Sequence, residues 1–276
     1  MTLNAQLEIP GGIPAMGPTI ALPATVDAYS LSMIRFNATT RGKLLTHWFQ
    51  AGAAWSYLDG SGRMIWRDRI SDARARTSGA ALINTNAVYT EAGAINALPC
   101  LTGAGATGWE FDEDQHINAA EFTIASVVMN TSNENNYIIG QGDVVAGAGD
   151  WAPAVALSGG GAGTNGTPVF YDTADSLTPL QAINAVAPNT AALLVFGSSD
   201  DVGRTIRVNG VQKSNIASTT HLTHTRFRLW QNRGITTSTL KGHNCVNFVW
   251  NIDLCHPNNQ DILAEFEDLV MARHGL

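Results

Sequence analysis

The stretch His243-Asn-Cys-Val-Asn-Phe-Val-Trp-Asn-Ile-Asp-Leu-Cys255 alternates between apolar and polar residues over most of its length. Val246, Phe248, Trp250, Ile252 and Leu254 fall on one face and Asn247, Asn251 and Asp253 on the other, the period of a strand with a core face and an outward face. After Pro257 the period becomes helical. Ile262, Leu263, Phe266, Leu269 and Val270 form one stripe, with Asn258 or Asn259 available as a cap and Gly275 at the end. The chain therefore closes with a long strand and one short amphipathic helix, expected to pack on the edge or end of the sheets.

Upstream, the same strand logic continues. Ala191–Gly197 is an apolar run, and Arg204–Val208 leads into Asn209-Gly210, a dipeptide suited to the positive φ angles of a two-residue hairpin turn. Arg226–Asn232 places Phe227 and Leu229 inward and Arg226, Arg228, Trp230 and Asn232 outward. Glu121–Met129, Tyr137–Gly140 and Pro153–Leu157 read as further strands, and Lys43–Ala54 fits either a strand or a short helix.

The 276 residues, nearly half of them hydrophobic, suffice for one large all-β domain. With 16 basic and 23 acidic side chains the net charge is −7, which opposes nucleic-acid binding. Three cysteines, Cys100, Cys245 and Cys255, are too few for a disulfide framework and suit a reducing site of synthesis. Met1–Leu22 has no basic start and is interrupted by Pro10, Pro14 and Pro18, so it reads neither as a secretory signal nor as a membrane span.

Residues 1–40 read as an extended arm and 41–276 as the folded domain. The prolines at 10, 14, 18 and 23 exclude a continuous helix. Leu3, Leu7, Ile9, Ile13 and Ile20 need cover, either from their own domain or from a neighbouring subunit reached by strand addition.

Three stretches together resemble the concanavalin A-like lectin/glucanase superfamily, in the laminin-G-like branch found in bacterial surface and phage structural proteins. They are Ser61-Gly-Arg-Met-Ile-Trp-Arg-Asp-Arg69, Tyr89–Pro99 followed by Phe122–Val128, and the closing Ile262–Leu276. The resemblance covers roughly residues 42–276 and implies a two-sheet antiparallel jelly-roll sandwich. The asparagine-glycine that usually follows the Trp66-Arg67-Asp68 strand is replaced by Ser71-Asp-Ala-Arg-Ala75, so ligand residues of that loop do not carry over.

Each candidate for chemistry competes with a plainer reading. Glu110, Asp112 and Asp114 share a strand face in the manner of a glycosidase acid and nucleophile pair, but a solvated acidic loop, with Asp112 and Asp114 as calcium ligands at most, is the plainer expectation. His243, Cys245, Cys255 and His256 are zinc-type ligands, yet Cys245 and Cys255 would stand about 33 Å apart on one strand at ~3.3 Å per residue. His221 and His224 read as polar-turn residues, and Ser158–Gly163 lacks the ending of a phosphate loop. Glycan binding has better material. Arg226, Arg228, Trp230 and Asn232 would make one stacking and hydrogen-bonding face, whose arginines suit an acidic polysaccharide, and Trp151 with Tyr171 would make a second.

These observations together with the resemblance lead to a definite expectation. The chain reads as a non-enzymatic virion or virion-like structural protein, made in the cytoplasm, oligomeric, attached to a particle by its arm and adsorbing to bacterial surface polysaccharide without a cofactor. The alternatives are a purely structural decoration or fibre subunit and a polysaccharide-degrading glycoside hydrolase.

Overall fold

The computed structural model describes residues 28–38, 45–71, 73–77, 87–105, 107–111, 115–117, 121–141, 154–161, 163–171, 179–217, 225–230 and 239–276. Its largest sheet has eight strands. Seven of them run in the order β16 (Val211–Ile216), β15 (Gly203–Val208), β14 (Ala192–Ser199), β9 (Phe122–Asn130), β18 (Lys241–Trp250), β6 (Cys100–Ala104) and β5 (Val88–Thr90). The eighth, β1 (Leu45–Gln50), pairs with the second half of β18 where β6 leaves it.

A six-stranded sheet follows the order β13 (Leu180–Gln181), β12 (Gly166–Tyr171), β11 (Ala154–Gly159), β10 (Asn135–Gln141), β17 (Thr225–Leu229), β8 (Gln115–Ile117). A smaller one joins β2 (Ser56–Leu58), β3 (Met64–Arg67), β4 (Arg74–Thr77) and β7 (Trp109–Phe111). The named strand pairs are antiparallel, and the architecture is a β-sandwich with one helix at its C-terminus, as the alternation predicts.

The core between the sheets is aromatic. Trp66, Trp109 and Trp230 stack edge to face or tilted, with Trp66–Trp109 ring centroids 5.6 Å and Trp109–Trp230 5.3 Å apart. Phe122, Phe170 and Phe196 continue it.

A second core covers the other face of the large sheet. Helix α2 (Gln260–His274) lies there and not at a sheet edge, with Phe266 against Trp250 at 4.6 Å and against Phe248 at 5.1 Å. The large sheet is thus buried on both faces, which explains why β9 and β14 are apolar nearly throughout: Ile124 and Val128 enter the sandwich, Ala125 and Val127 the helical layer.

Residues read as part of an extended arm supply the second helix. In α1 (Ala28–Ala38), Tyr29, Met33 and Phe36 recur at helical spacing and are buried against α2, with Tyr29 6.2 Å from His274 and Phe36 6.3 Å from Phe266. Pro23 is the last proline before this segment, so nothing in residues 28–38 opposes a helix. Leu3, Leu7, Ile9, Ile13 and Ile20 lie outside the described residues.

The hairpin forms where expected: Asn209 and Gly210 both take positive φ, 47° and 76°, between β15 and β16. Arg207 on β15 then grips Glu267 of α2 through two hydrogen bonds of 2.8 Å, which fixes the helix over the sheet. β18 is shorter than its period suggests. It ends at Trp250 because Thr123 takes over the ladder: its hydroxyl donates to the Ile252 carbonyl and accepts from the Leu254 N–H, turning the chain toward α2.

Phe266→Ala should cost about 3–5 kcal/mol, the range for truncating a buried phenylalanine, read as a lower urea midpoint. His274 gives a pH dependence. Burial lowers its pKa from 6.5 to about 4, although the Val270 carbonyl, bonded to Nδ1 at 2.8 Å, pulls the other way. The unfolded chain then binds more protons between those values, so this residue's contribution is lost as pH falls from 6.5 toward 4. His274→Gln should be less stable than the parent at pH about 7 and lose less stability on going to pH about 5.

Candidate functional site

The outward face read from Arg226–Asn232 is only partly realised. Phe227 and Leu229 enter the core, and Arg228 lies half-buried on the opposite side of β17. Trp230 is a correction. It adopts φ 59°, a left-handed turn that ends the alternation and swings its ring into the sandwich, where it is fully buried. Its backbone N–H donates to the Ile138 carbonyl at 2.9 Å, and no sugar can reach its face. The Arg226 and Tyr171 side chains, and Asn232, Trp151, Asp112 and Asp114, lie outside the described residues.

The indole of Trp230 joins a buried polar cluster that the strand period hides. Its Nε1 donates to Asn244 Oδ1 at 2.9 Å, and Asn247 Nδ2 donates to the same oxygen at 2.8 Å. Ser126 Oγ donates to Asn247 Oδ1 at 2.6 Å, and Asn244 Nδ2 donates to the Val127 carbonyl at 2.9 Å. Asn247 lies on the face opposite Val246, Phe248 and Trp250, as its period predicts, but that face is the sandwich interior, and the register shift between Asn244 and Val246 brings Asn244 onto the same face. Every member is buried, so the cluster holds the fold and binds nothing from solvent.

A second polar set, with His47 and Asp68 buried and Ser71 exposed, surrounds the Trp66-Arg67-Asp68 strand. Asp68 accepts from His47 Nδ1 at 2.7 Å, Ser71 Oγ at 2.5 Å, and the N–H groups of Trp48 and Ile70 at 2.7 and 3.0 Å. Burial acts to raise the Asp68 pKa, but the hydrogen bonds of His47, Ser71 and Ile70 outweigh it and hold the carboxyl below its usual range. Serine, histidine and aspartate meet here without forming a nucleophilic triad: Ser71 donates to the aspartate, whereas a nucleophile would bond the distal histidine nitrogen. Next to it, Arg69 lies 3.7 Å over the Trp48 ring and bonds Gln50 Oε1 at 2.5 Å.

An open groove among the described residues lies elsewhere, at positions that the strand periods do not single out. Ser56, Tyr57 and Leu58 of β2, Gly62 and Met64 of the following turn and strand, and Ala87, Val88 and Tyr89 line a groove of about 500 Å³, within the ~300–1,000 Å³ range of small-molecule sites. It runs between two sheet ends, since β2 terminates the four-stranded sheet and β5 one side of the eight-stranded sheet. Three of the seven large apolar side chains exposed among the described residues stand here: Tyr57 (38 % exposed), Leu58 (60 %) and Val88 (60 %). Tyr89 is half-buried, and burial with the nearby Glu91 charge raises its pKa. At the rim, Asp59 accepts from the N–H groups of Ser61 and Arg63 and from Arg63 Nε at 3.2 Å, so the turn after β2 consumes its own charges. The sequence signal was the cluster Trp55, Tyr57 and Trp66 around Asp59-Gly-Ser-Gly62, of which only Tyr57 faces solvent.

No protein-family model matches the chain, and no curated protein does. Solved structures do. Trypanosoma rangeli sialidase in complex with sialic acid is 16% identical with a TM-score of 0.53 over 83% of this chain and 33% of its own. The same sialidase as a covalent intermediate with 2,3-difluorosialic acid gives 13% identity and 0.52 over 88% and 38%. Domain 4 of an extracellular GH43 arabinanase from Geobacillus stearothermophilus, in complex with arabinotriose, gives 16% and 0.52 over 79% of this chain and 97% of that domain. The chain spans about a third of the length of the sialidases it matches. These likenesses show the fold alone, a β-sandwich shared with sialidase and arabinanase domains. They also correct the reading of a non-enzymatic virion protein: the matched structures come from glycoside hydrolases, and none of those named is a particle component.

Trp230→Phe should lower stability by about 1–3 kcal/mol, the cost of leaving a buried acceptor short of a donor, and leave retention on polysaccharide gels unchanged. Weakened retention with unchanged urea stability would return Trp230 to the binding surface.

Proposed function

We propose that the chain acts in polysaccharide degradation, as a β-sandwich of the glycoside-hydrolase class that holds a glycan strand. The observation that carries this reading is the match of its sandwich along nearly the whole of an arabinanase domain that binds arabinotriose, with the sialidases in agreement. The groove between β2 and β5 supports it, since it combines an accessible tyrosine with apolar walls.

Cleavage by the chain itself would need two carboxyl groups set about 5–10 Å apart across the glycosidic bond. The material for this is Glu110, Asp112 and Asp114, and Glu110 stands on β7 opposite Arg76 of β4. In that role one carboxyl is the acid that protonates the leaving oxygen, and the other attacks the sugar or activates water.

The test incubates the chain with linear arabinan, sialyllactose, xylan and mixed-linkage glucan, measuring retention on each and the release of reducing ends. Retention on at least one substrate is expected, with any sugar release lost in Glu110→Gln or Asp112→Asn. Neither retention nor release on any of them would sink the proposal, and release that survives both changes would remove these carboxylates from it.

A further inference from the structure

We infer that the groove between β2 and β5 is a binding site for an uncharged oligosaccharide, with Tyr57 as the stacking platform; this rests on the proposed role in polysaccharide degradation and names the ligand class of that site. Three observations lead to it, and each concerns what the groove offers a ligand.

The first is the lining. Ser56, Tyr57, Leu58, Gly62, Met64, Ala87, Val88 and Tyr89 include no carboxylate, ammonium or guanidinium. At the rim, Arg63 and Asp59 are joined to each other at 3.2 Å, and Asp59 is further held by two backbone N–H groups. A sialic or uronic acid would meet no cation among the described lining residues to receive its carboxylate and offset its desolvation. A neutral sugar meets no such penalty.

The second is the aromatic geometry. Sugars present an apolar face of C–H groups and an edge of hydroxyls. An exposed ring buries the former, and a hydroxyl beside it bonds the latter. Tyr57 is 38% exposed and supplies both, and the exposed Leu58 and Val88 also line the groove.

The third is the backbone. Among the described residues β2 pairs only with β3, and β5 only with β6. Each strand is therefore a sheet edge with backbone N–H and C=O groups on its outer side, of which the Ser56 N–H is taken by the Gly52 carbonyl at 2.7 Å. Those groups are donors and acceptors of zero net charge at fixed spacing, suited to hydroxyls along a neutral chain.

Two arms of one experiment separate this inference from the reading beneath it. Affinity is measured by calorimetry for arabinotriose, linear arabinan and xylan against sialyllactose and polygalacturonate, at low salt and at about 0.5 M sodium chloride. Parent, Tyr57→Ala and Val88→Asp are compared, with Tm as the check of folding, since both side chains are exposed. The expected result is binding to a neutral glycan that is insensitive to salt and falls about tenfold or more, equivalent to ~1.4 kcal/mol, in either variant. Neutral-glycan binding that both variants retain would overturn the groove as the site while leaving the carbohydrate role standing. Salt-sensitive preference for the acidic glycans would overturn the ligand class, and no binding to any glycan would remove both.

Discussion

The side-chain amide of Asn244 is the constraint on which the sandwich depends. The large sheet is buried on both faces, so a polar group entering it must be met inside the protein or cost about 1–3 kcal/mol. At Asn244 the ladder between β18 and β9 shifts register, and one residue answers the consequences. Its amide nitrogen reaches the Val127 carbonyl and Ser126, and its oxygen collects the donors of Trp230 and Asn247. The contact with Trp230 spans the two sheets: the indole hangs from the end of β17 and its hydrogen bond is made on β18. The sandwich is therefore set by a polar bond in its centre as well as by the tryptophans packed around it.

How far the sequence reveals this depends on how many faces an element buries. β17 buries one, and Phe227 and Leu229 fall where period two puts them. The turn at Asn209-Gly210 is local chemistry and appears as expected. Strands β9 and β14 bury both faces, and their unbroken apolar runs mark them as strands without saying what lies on the second side. That side is the helical layer, so α2 was expected at a sheet margin and α1 was read as extended chain. The spacing of Tyr29, Met33 and Phe36 was the available signal for α1, masked by the prolines that precede it.

The candidate site was less legible for a different reason. Outwardness was inferred from period two, and one residue with positive φ, Trp230, is enough to reverse it. The groove is made by the ends of two sheets meeting, a tertiary fact with no period. Tyr57 and Val88 come together although 31 positions separate them, and neither sits in a motif. Conversely, His47 with Asp68 and Ser71, a grouping that looks chemical by residue type, is occupied with holding β1 to the end of β3. The two polar sets described above hold the fold, and the groove between β2 and β5 is lined mainly by apolar side chains.

The position of β18 in the sheet bears on how the chain acquires its structure. It lies at the centre, pairing with β9 on one side and with β6 and β1 on the other, and Thr46 bonds the Val249 carbonyl across 203 positions of sequence. Three earlier strands must wait for residues 241–250 before their edges are closed. Loop closure over such distances is slow, and unpaired strand edges invite association between chains. Refolding at high protein concentration should therefore be limited by capture of β18, and the vulnerable species is a chain whose early strands are made and whose last strand has not yet been inserted.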